Sequence, residues 1–229
     1  KWGVQQLESL QDKNGNPDLN NKNLGFDVSS KNVLQACSNS KNAIPLIAES
    51  PVFDETIGEV LSLYNKPELI AANSDVQKIF LYDNVIFSNL CKDKKAFDII
   101  FNKIGLDKLL SLGKKTGNVN LLDATLNMLK NYIKNTPKKE EIPDDTLDTI
   151  FQILDKCIKL KDRNAPLMSK VLDIGTNLYP VEKYKPMVNN LKLLKSINND
   201  IPKFKDDHQY LNSALNCISI MSKDDPNNG

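Results

Sequence analysis

The sequence predicts an all-α protein built from repeated helical units, and three observations support this prediction. From about residue 30 onward, apolar residues recur at intervals of three and four, which is typical of amphipathic helices. Almost no segment shows the alternation of a half-buried strand. Similar helices recur about every 40 residues, and units of this size bury their apolar faces by stacking on one another. The predicted fold is therefore a right-handed α-solenoid.

Four apolar stripes with helical spacing identify individual helices. They are Val119, Leu122, Leu126, Leu129 and Ile133; Leu147, Ile150, Phe151, Leu154 and Ile158; Leu167, Val171, Ile174 and Leu178; and Leu211, Ala214, Ile218 and Met221. Helix start signals agree with the stripes: Ser74 precedes Gln77 at capping-box spacing, and Asn164 precedes Pro166.

An asparagine recurs near the end of each long apolar helix. Asn89, Asn131, Asn177 and Asn216 are separated by 42, 46 and 39 residues, and Asn39 precedes Asn89 by 50. After Asn89 come a short helix, a corner at Gly105 and a second helix, so that one unit contains three helices. We predict one domain over residues 1–229, with repeats near residues 30–64, 65–112, 113–160, 161–200 and 201–222.

Two segments interrupt the repeats. Residues 11–27 have the Gly, Pro and Asn content of a loop, which would separate a first helix around Trp2 from the repeats. Residues 134–145, which are basic and then acidic, predict an exposed loop between repeats, with a docking loop as the alternative. Because no Met begins the sequence, we expect it to be a fragment of a longer chain.

Composition excludes several classes of partner. Thirty Lys and Arg residues balance 29 Asp and Glu, so no strong positive field attracts nucleic acid or an anionic membrane. No apolar run is long enough to span a bilayer, and the first residues do not resemble a signal peptide. The four cysteines lack metal-site spacing, so we predict buried free thiols in a reducing cytoplasm.

Residues 85–112, VIFSNLCKDKKAFDIIFNKIGLDKLLSL, resemble in order the third helix, first helix, glycine corner and second helix of the armadillo family. The resemblance extends from about Val33 to Ile220, although residues 134–145 replace a recognisable first helix and corner in the third repeat. HEAT repeats are the nearest alternative.

The armadillo resemblance implies a binding role for the recurring asparagines. In that family the third helices line a concave groove, and an asparagine near each helix end hydrogen-bonds the main chain of an extended peptide, since an amide offers both a donor and an acceptor. By resemblance these residues are Asn39, Asn89, Asn131, Asn177 and Asn216. The alternative is that some of these amides cap or brace neighbouring helices.

One departure from the family limits the choice of ligand. Peptide-binding importin-type members carry a Trp four residues before each asparagine, which holds Lys stems by stacking and cation–π attraction. The corresponding residues here are Gln35, Val85, Asn127, Asp173 and Asn212. Since none is aromatic, we do not expect a basic nuclear-localisation peptide to bind in that manner.

The sequence offers no catalytic, metal-binding or cofactor-binding set. Gly113–Gly117 only superficially resembles a phosphate loop, because Lys108 and Lys115 occupy positions that require Gly and Ser or Thr. We predict a helix C-cap there, with flanking cations. His208, the only histidine, follows Asp206 and Asp207 at a predicted helix start and is expected on the solvated surface.

These observations predict a non-enzymatic protein–protein interaction scaffold that binds an extended segment or docks on a larger assembly. The alternative is a regulatory or targeting module of a larger enzyme or cytoskeletal protein, with a cytoplasmic location in either case. RNA reading by helical repeats would require stacking side chains and a basic face, which the sequence lacks.

Overall fold

A computed structural model of the chain describes residues 24–51, 53–54, 56–58, 74–90 and 93–224. Throughout these residues the regular structure is helical and there is no strand, which confirms the all-α class. The predicted helix around Trp2, residues 11–23 of the predicted loop and Cys91 lie outside the described residues.

The described α-helices are numbered here in chain order. They are α1 (Leu24–Ser38), α2 (Ala43–Ala48), α3 (Ser74–Leu90), α4 (Lys94–Ile104), α5 (Leu106–Lys115), α6 (Val119–Asn135), α7 (Asp144–Lys159), α8 (Ala165–Leu178), α9 (Lys185–Asn190), α10 (Leu193–Phe204) and α11 (His208–Met221). Short 3-10 helices cover Lys139–Glu141, Glu182–Tyr184 and Ser222–Asp224. The chain divides into two compact units, 1–109 and 110–229, with the boundary inside α5.

In the first unit, α1 and α3 pack along each other in parallel. Lys31 of α1 lies 2.9 Å from the buried Asp83 of α3. Seven residues further along α1, Ser38 accepts a hydrogen bond from Asn89 of α3. Because the contacts advance in the same direction along both helices, α1 and α3 are parallel.

In the second unit, α8 lies between α6 and α11 and packs on both. Two ion pairs join α6 to α8: Asp123 with Lys170 at 2.7 Å, and Lys130 with Asp173 at 2.5 Å. Their order along the two helices shows that α6 and α8 are parallel. Two further helices pack on this group: α7 packs on α8, and α10 packs on α11.

The apolar stripes correspond closely to the buried faces. On α8, Leu167, Val171, Ile174 and Leu178 are all fully buried, as predicted. The prediction is wrong at Ile218 of α11, which is 37% exposed. That helix packs through Tyr210, Ala214, Cys217 and Met221, a stripe centred slightly to one side of Ile218.

The helix termini confirm one start signal and one predicted helix end, and they correct one boundary. Asn164 caps α8 by accepting a hydrogen bond from the Leu167 N–H at 2.9 Å, as expected of this residue. The predicted helix end within residues 113–117 is confirmed, since α5 ends at Lys115 with Lys114 and Lys115 in its last turn, although Gly113 itself lies inside the helix. The predicted loop over residues 11–27 is too long at its end, because α1 already begins at Leu24.

Gly113 lies where α5 packs closely on neighbouring side chains, not in a turn. A Cβ built at this position would lie 2.8 Å from Ile153 Cδ1 and 3.1 Å from Thr125 Cγ2. Carbonyl groups at the end of α5 receive hydrogen bonds from another helix, because the Lys156 ammonium of α7 donates to the carbonyls of Lys114 and Thr116. A cation at a helix C-terminus also interacts favourably with the helix dipole.

Replacing Gly105 with alanine should lower the free energy of unfolding by about 1–2 kcal/mol. Gly105 ends α4 at φ 79° and ψ 140°, a conformation that side-chain-bearing residues rarely adopt. No atom lies within 4 Å of the position that a Cβ would take, so the cost comes from the backbone alone. Urea denaturation measures it, and Gly117→Ala, in an exposed loop with ordinary φ, is the control. Equal stability of the two variants would contradict this explanation.

Candidate functional site

The first unit brings Asn39 and Asn89 into direct contact. Asn89 is only 6% exposed, and its amide nitrogen lies 3.0 Å from both Ser38 Oγ and Asn39 Oδ1. Asn39 is exposed in the turn that follows α1. In this unit the two amides hold α1 against α3, which corresponds to the bracing alternative.

The second unit places the other three asparagines on polar helix surfaces. Asn131 and Asn177 are half-exposed on α6 and α8, and Asn216 is exposed on α11. The Asn177 amide nitrogen donates to the Asp173 carbonyl one turn earlier, at 2.7 Å. Since one amide nitrogen carries two hydrogens and the amide oxygen accepts, this bond leaves Asn177 further hydrogen-bonding capacity.

Asn177 and Asn216 lie in one cleft of about 350 Å³, which we call the asparagine cleft. It is formed where α8 and α11 approach their C-terminal ends, together with the segment that follows α6. Its lining residues are Pro137, Lys139, Glu140, Thr176, Asn177, Pro180, Val181, Asn216 and Ile220. The five predicted residues therefore form one contacting pair in the first unit and one shared cleft in the second. Asn131 is not among the residues that line this cleft.

The predicted loop over residues 134–145 contributes one wall of the asparagine cleft. The segment is mostly exposed, as expected, apart from the buried Ile142. The Tyr184 hydroxyl donates to the Lys139 carbonyl at 2.5 Å and so holds the 3-10 turn in place. Lys139 and Glu140 then present opposite charges to the cleft.

Two ion pairs join α6 to α8 near the cleft. Asp173, four residues before Asn177, pairs with Lys130, which immediately precedes Asn131. Lys170 is only 8% exposed and pairs with Asp123. Sequence reasoning identified Asp173 as a non-aromatic position but missed its partner, because 43 residues separate the two. The only sequence signal for this ion pair was that each of the two helices carries a charged residue among its surface positions.

The asparagine cleft contains groups suited to hydrogen bonding. Two amides and one pair of opposite charges converge there, with Pro180 and Ile220 as apolar surface. The Thr176 hydroxyl lies beside the Cys217 thiol, whose pKa is raised mainly by burial, while the hydroxyl opposes this shift. These groups can hold a peptide main chain by donating and accepting together.

The histidine prediction and two of the four cysteine predictions are confirmed. Cys157 and Cys217 are buried free thiols, and burial raises the pKa of Cys157 to about 12. The prediction is wrong for Cys37, which is exposed near the end of α1. His208 is exposed at the first residue of α11, after the Asp207 cap.

The described residues show neither a metal-binding cluster nor a membrane-spanning helix. They contain no cluster of three or more His, Cys, Asp or Glu side chains placed to hold a metal ion. None of the helices in the described ranges has the length and apolar character needed to cross a membrane.

Comparison of the chain with protein-family models and with curated proteins finds no match. Its fold is similar to that of a crystal structure of an engineered protein from the Northeast Structural Genomics Consortium. That similarity has a TM-score of 0.57 and 14% sequence identity, and it covers 90% of this chain and 78% of the other. At this level of identity the likeness concerns the fold alone.

Proposed function

We propose that this chain is a non-enzymatic protein–protein interaction scaffold, an armadillo-like right-handed solenoid that binds an extended protein segment. HEAT-like stacking is the nearest alternative architecture. The parallel packing of α1 with α3, and of α6 with α8, supports stacked repeats. The recurrence of one asparagine per unit supports a shared binding face.

The observation that carries this proposal is the pairing of Asn177 and Asn216 in one cleft on neighbouring helices. Packed helices lie about 8–10 Å apart. An extended segment rises about 3.3 Å per residue, so amides at that separation reach main-chain groups about three residues apart. An amide can meet a peptide C=O and N–H together, which suits recognition of a main chain rather than of one side chain.

The expected ligand differs from a basic nuclear-localisation peptide. Where importin-type members have Trp, this chain has Asp173 paired with Lys130 and the exposed Asn212. A lysine stem would find no aromatic ring to stack on at these two positions. The proposed ligand is therefore a segment held by its backbone, with small or polar side chains facing the ion pairs.

A binding role without catalysis is consistent with the nucleophiles that the structure describes. The thiol of Cys157 is buried with a pKa of about 12, so it is protonated at neutral pH. Two buried free thiols are consistent with a reducing compartment, and we propose a cytoplasmic location.

Replacing both Asn177 and Asn216 with alanine should weaken binding of a cleft peptide about tenfold or more. Each lost amide contact is worth about 0.5–1.5 kcal/mol, and more where a buried ligand group is left unpaired. Ten-residue peptides selected from a displayed random library on the wild-type chain supply the probe. Fluorescence anisotropy then gives the affinity of each variant, and thermal unfolding shows whether the fold is retained.

Asn189→Ala with Asn198→Ala is the matched control, because both amides are exposed in the same unit and neither lines the cleft. This control should retain the wild-type affinity. The proposal fails if the peptides bind both double variants as tightly as they bind the wild type.

A further inference from the structure

A second groove lies on other helices of the carboxy-terminal unit, between α7, α9 and the start of α10. It consists of two adjoining cavities of about 330 and 460 Å³, which share Asp155, Asn190 and Leu191. The α7 residues that line it recur at intervals of three and four from Asp148 to Lys159, so the groove follows one face of that helix. We call it the outer groove. None of the five recurring asparagines lines it.

One end of the outer groove is basic. Lys159, Arg163, Lys192 and Lys195 line this end together with the carboxylate of Asp155. Two of these cations are already paired, Lys159 with Asp155 and Arg163 with the buried Asp200. Across the described part of the chain, Lys192 and Lys195 have no carboxylate within ion-pair distance. The net positive charge of this end therefore belongs to those two lysines.

The backbone at this end adds to the positive potential. Helix α10 begins at Leu193, and its N-cap Lys192 has φ 54° and makes no side-chain capping bond. The first turn of the helix, with its free N–H groups and the positive end of the helix dipole, is also the part of α10 that carries Lys192 and Lys195. The two lysines and the positive end of the helix dipole therefore belong to the same end of α10.

The other end of the groove has an apolar floor and polar walls, to which Asp148, Gln152, Asp155 and Asn190 contribute. Phe151 and Leu191 form its floor and are each 7% exposed, while Met187 is half-exposed at its side. A flexible Met side chain adapts to different apolar partners. Lys159 marks the position of the basic end along α7, since it lines the same cavity as Lys192 and Lys195, and it lies about 12 Å along the helix from Phe151 at 1.5 Å per residue. An extended segment covers that distance in about four residues.

We propose that the outer groove is a second binding site, for a protein segment that carries an apolar side chain about four residues from a pair of anionic side chains. The apolar side chain packs against Met187 and Phe151, and the anionic pair lies between Lys192 and Lys195. Aspartate, glutamate and phosphorylated serine share the required negative charge. The balanced net charge of +1 favours such a short segment over a long polyanion.

A second site on different helices would let the scaffold hold two segments at once. The asparagine cleft uses α8, α11 and the segment after α6, whereas the outer groove uses α7, α9 and α10. No lining residue is common to the two sites. Occupation of one therefore does not require displacement of the other, and this inference stands whether or not the asparagine cleft binds a ligand.

The test uses a synthetic array of ten-residue peptides with one Leu or Met placed two to six residues before or after a Glu-Glu pair. Matched peptides carry Gln-Gln, Lys-Lys or two phosphoserines in place of the glutamates, which separates carboxylate from phosphate recognition. Anisotropy on the full chain at about 0.1 M salt should show the tightest binding near a spacing of four. Exchange of Glu-Glu for Gln-Gln should weaken it about tenfold or more.

Lys192→Asn with Lys195→Gln should reduce affinity for the Glu-Glu peptide about tenfold or more without loss of the fold. Asn tolerates the left-handed conformation of residue 192, and Lys195 is exposed, so the thermal midpoint should be retained. Lys161→Gln with Lys205→Gln removes the same charge from exposed positions outside the groove and should leave affinity nearly unchanged. Arg163 is left intact because it pairs with a buried carboxylate.

Three results would overturn the outer groove as the site. One is an equal loss of affinity in both lysine double variants, which would indicate long-range attraction only. Another is tighter binding of a single-stranded oligonucleotide than of any peptide in the array. The third is a loss of binding in Asn177→Ala with Asn216→Ala but not in the Lys192 and Lys195 variant, which would assign the peptide to the asparagine cleft.

Discussion

Replacing Arg163 with methionine should lower the free energy of unfolding of the carboxy-terminal unit by about 3–5 kcal/mol, as measured by urea denaturation. The Arg163 guanidinium donates through Nε to Asp200 Oδ2 at 3.1 Å and through Nη2 to Asp200 Oδ1 at 2.8 Å. Asp200 is fully buried. Methionine retains much of the side-chain volume but leaves this carboxylate without its closest cation.

The remaining neighbours of Asp200 compensate poorly for the loss of Arg163. Ser196 Oγ donates at 3.3 Å, and the exposed Lys203 ammonium is 3.7 Å away. Burial first, and then the nearby Asp200, raise the pKa of Tyr210 to about 12, so the phenol stays neutral and adds no second negative charge beside Asp200. The carboxylate is then buried with only the exposed and more distant Lys203 cation nearby, which costs stability.

A double-mutant cycle separates the buried charge from the lost packing. Arg163→Met with Asp200→Asn removes both charges and should be more stable than Arg163→Met alone. Lys203→Ala removes only the exposed cation and should change stability by less than about 1 kcal/mol. If the double variant were as unstable as Arg163→Met, packing rather than the uncompensated carboxylate would explain the loss.

Local periodicity predicted the helices because burial on a helix face follows directly from spacing along the chain. The stripe of Leu167, Val171, Ile174 and Leu178 needs no distant residue to identify it, and all four are buried. The error at Ile218 arose because several apolar residues of α11 could have formed the buried stripe. Packing against α8 and α10 decides which of them does.

Partners that are far apart along the chain could not be predicted in this way. Arg163 and Asp200 are 37 residues apart, and Lys130 and Asp173 are 43 apart. Their charges are visible in the sequence, but which of many Lys, Arg and Asp residues meet depends on how the helices stack. The same limit applies to Lys192, whose position in a basic groove follows from the junction of α9 and α10.

The recurring asparagines show why the candidate site could be predicted from the sequence only in part. The repeat spacing identified equivalent helix positions, but equivalent positions have different neighbours. Asn89 is covered by Ser38 and Asn39, whereas Asn216 is exposed on α11. Sequence alone left open whether such an amide binds a ligand or braces a helix, and the described surroundings differ from one asparagine to the next.

Replacing Asn89 with alanine should lower the free energy of unfolding by about 2–3 kcal/mol, because the amide is buried and donates to two partners. Ser38 is fully buried, and its hydroxyl also donates to the Gln35 carbonyl at 2.7 Å. Loss of the Asn89 donor leaves the Ser38 oxygen with one fewer partner and removes the link to Asn39. Urea denaturation measures this loss, with the exposed Asn216→Ala as the control, which should stay within about 0.5 kcal/mol of the wild type.

The same two variants distinguish bracing from ligand binding at this repeat position. We expect Asn89→Ala to retain, per folded molecule, the affinity for peptides selected on the asparagine cleft, because its amide hydrogen bonds are made to α1 and the turn after it. Asn216→Ala should show the opposite pattern, with near-normal stability and weakened binding. If Asn89→Ala kept its stability but lost peptide affinity, Asn89 would be a ligand-binding residue, and the bonds to Ser38 and Asn39 would serve only to orient its amide.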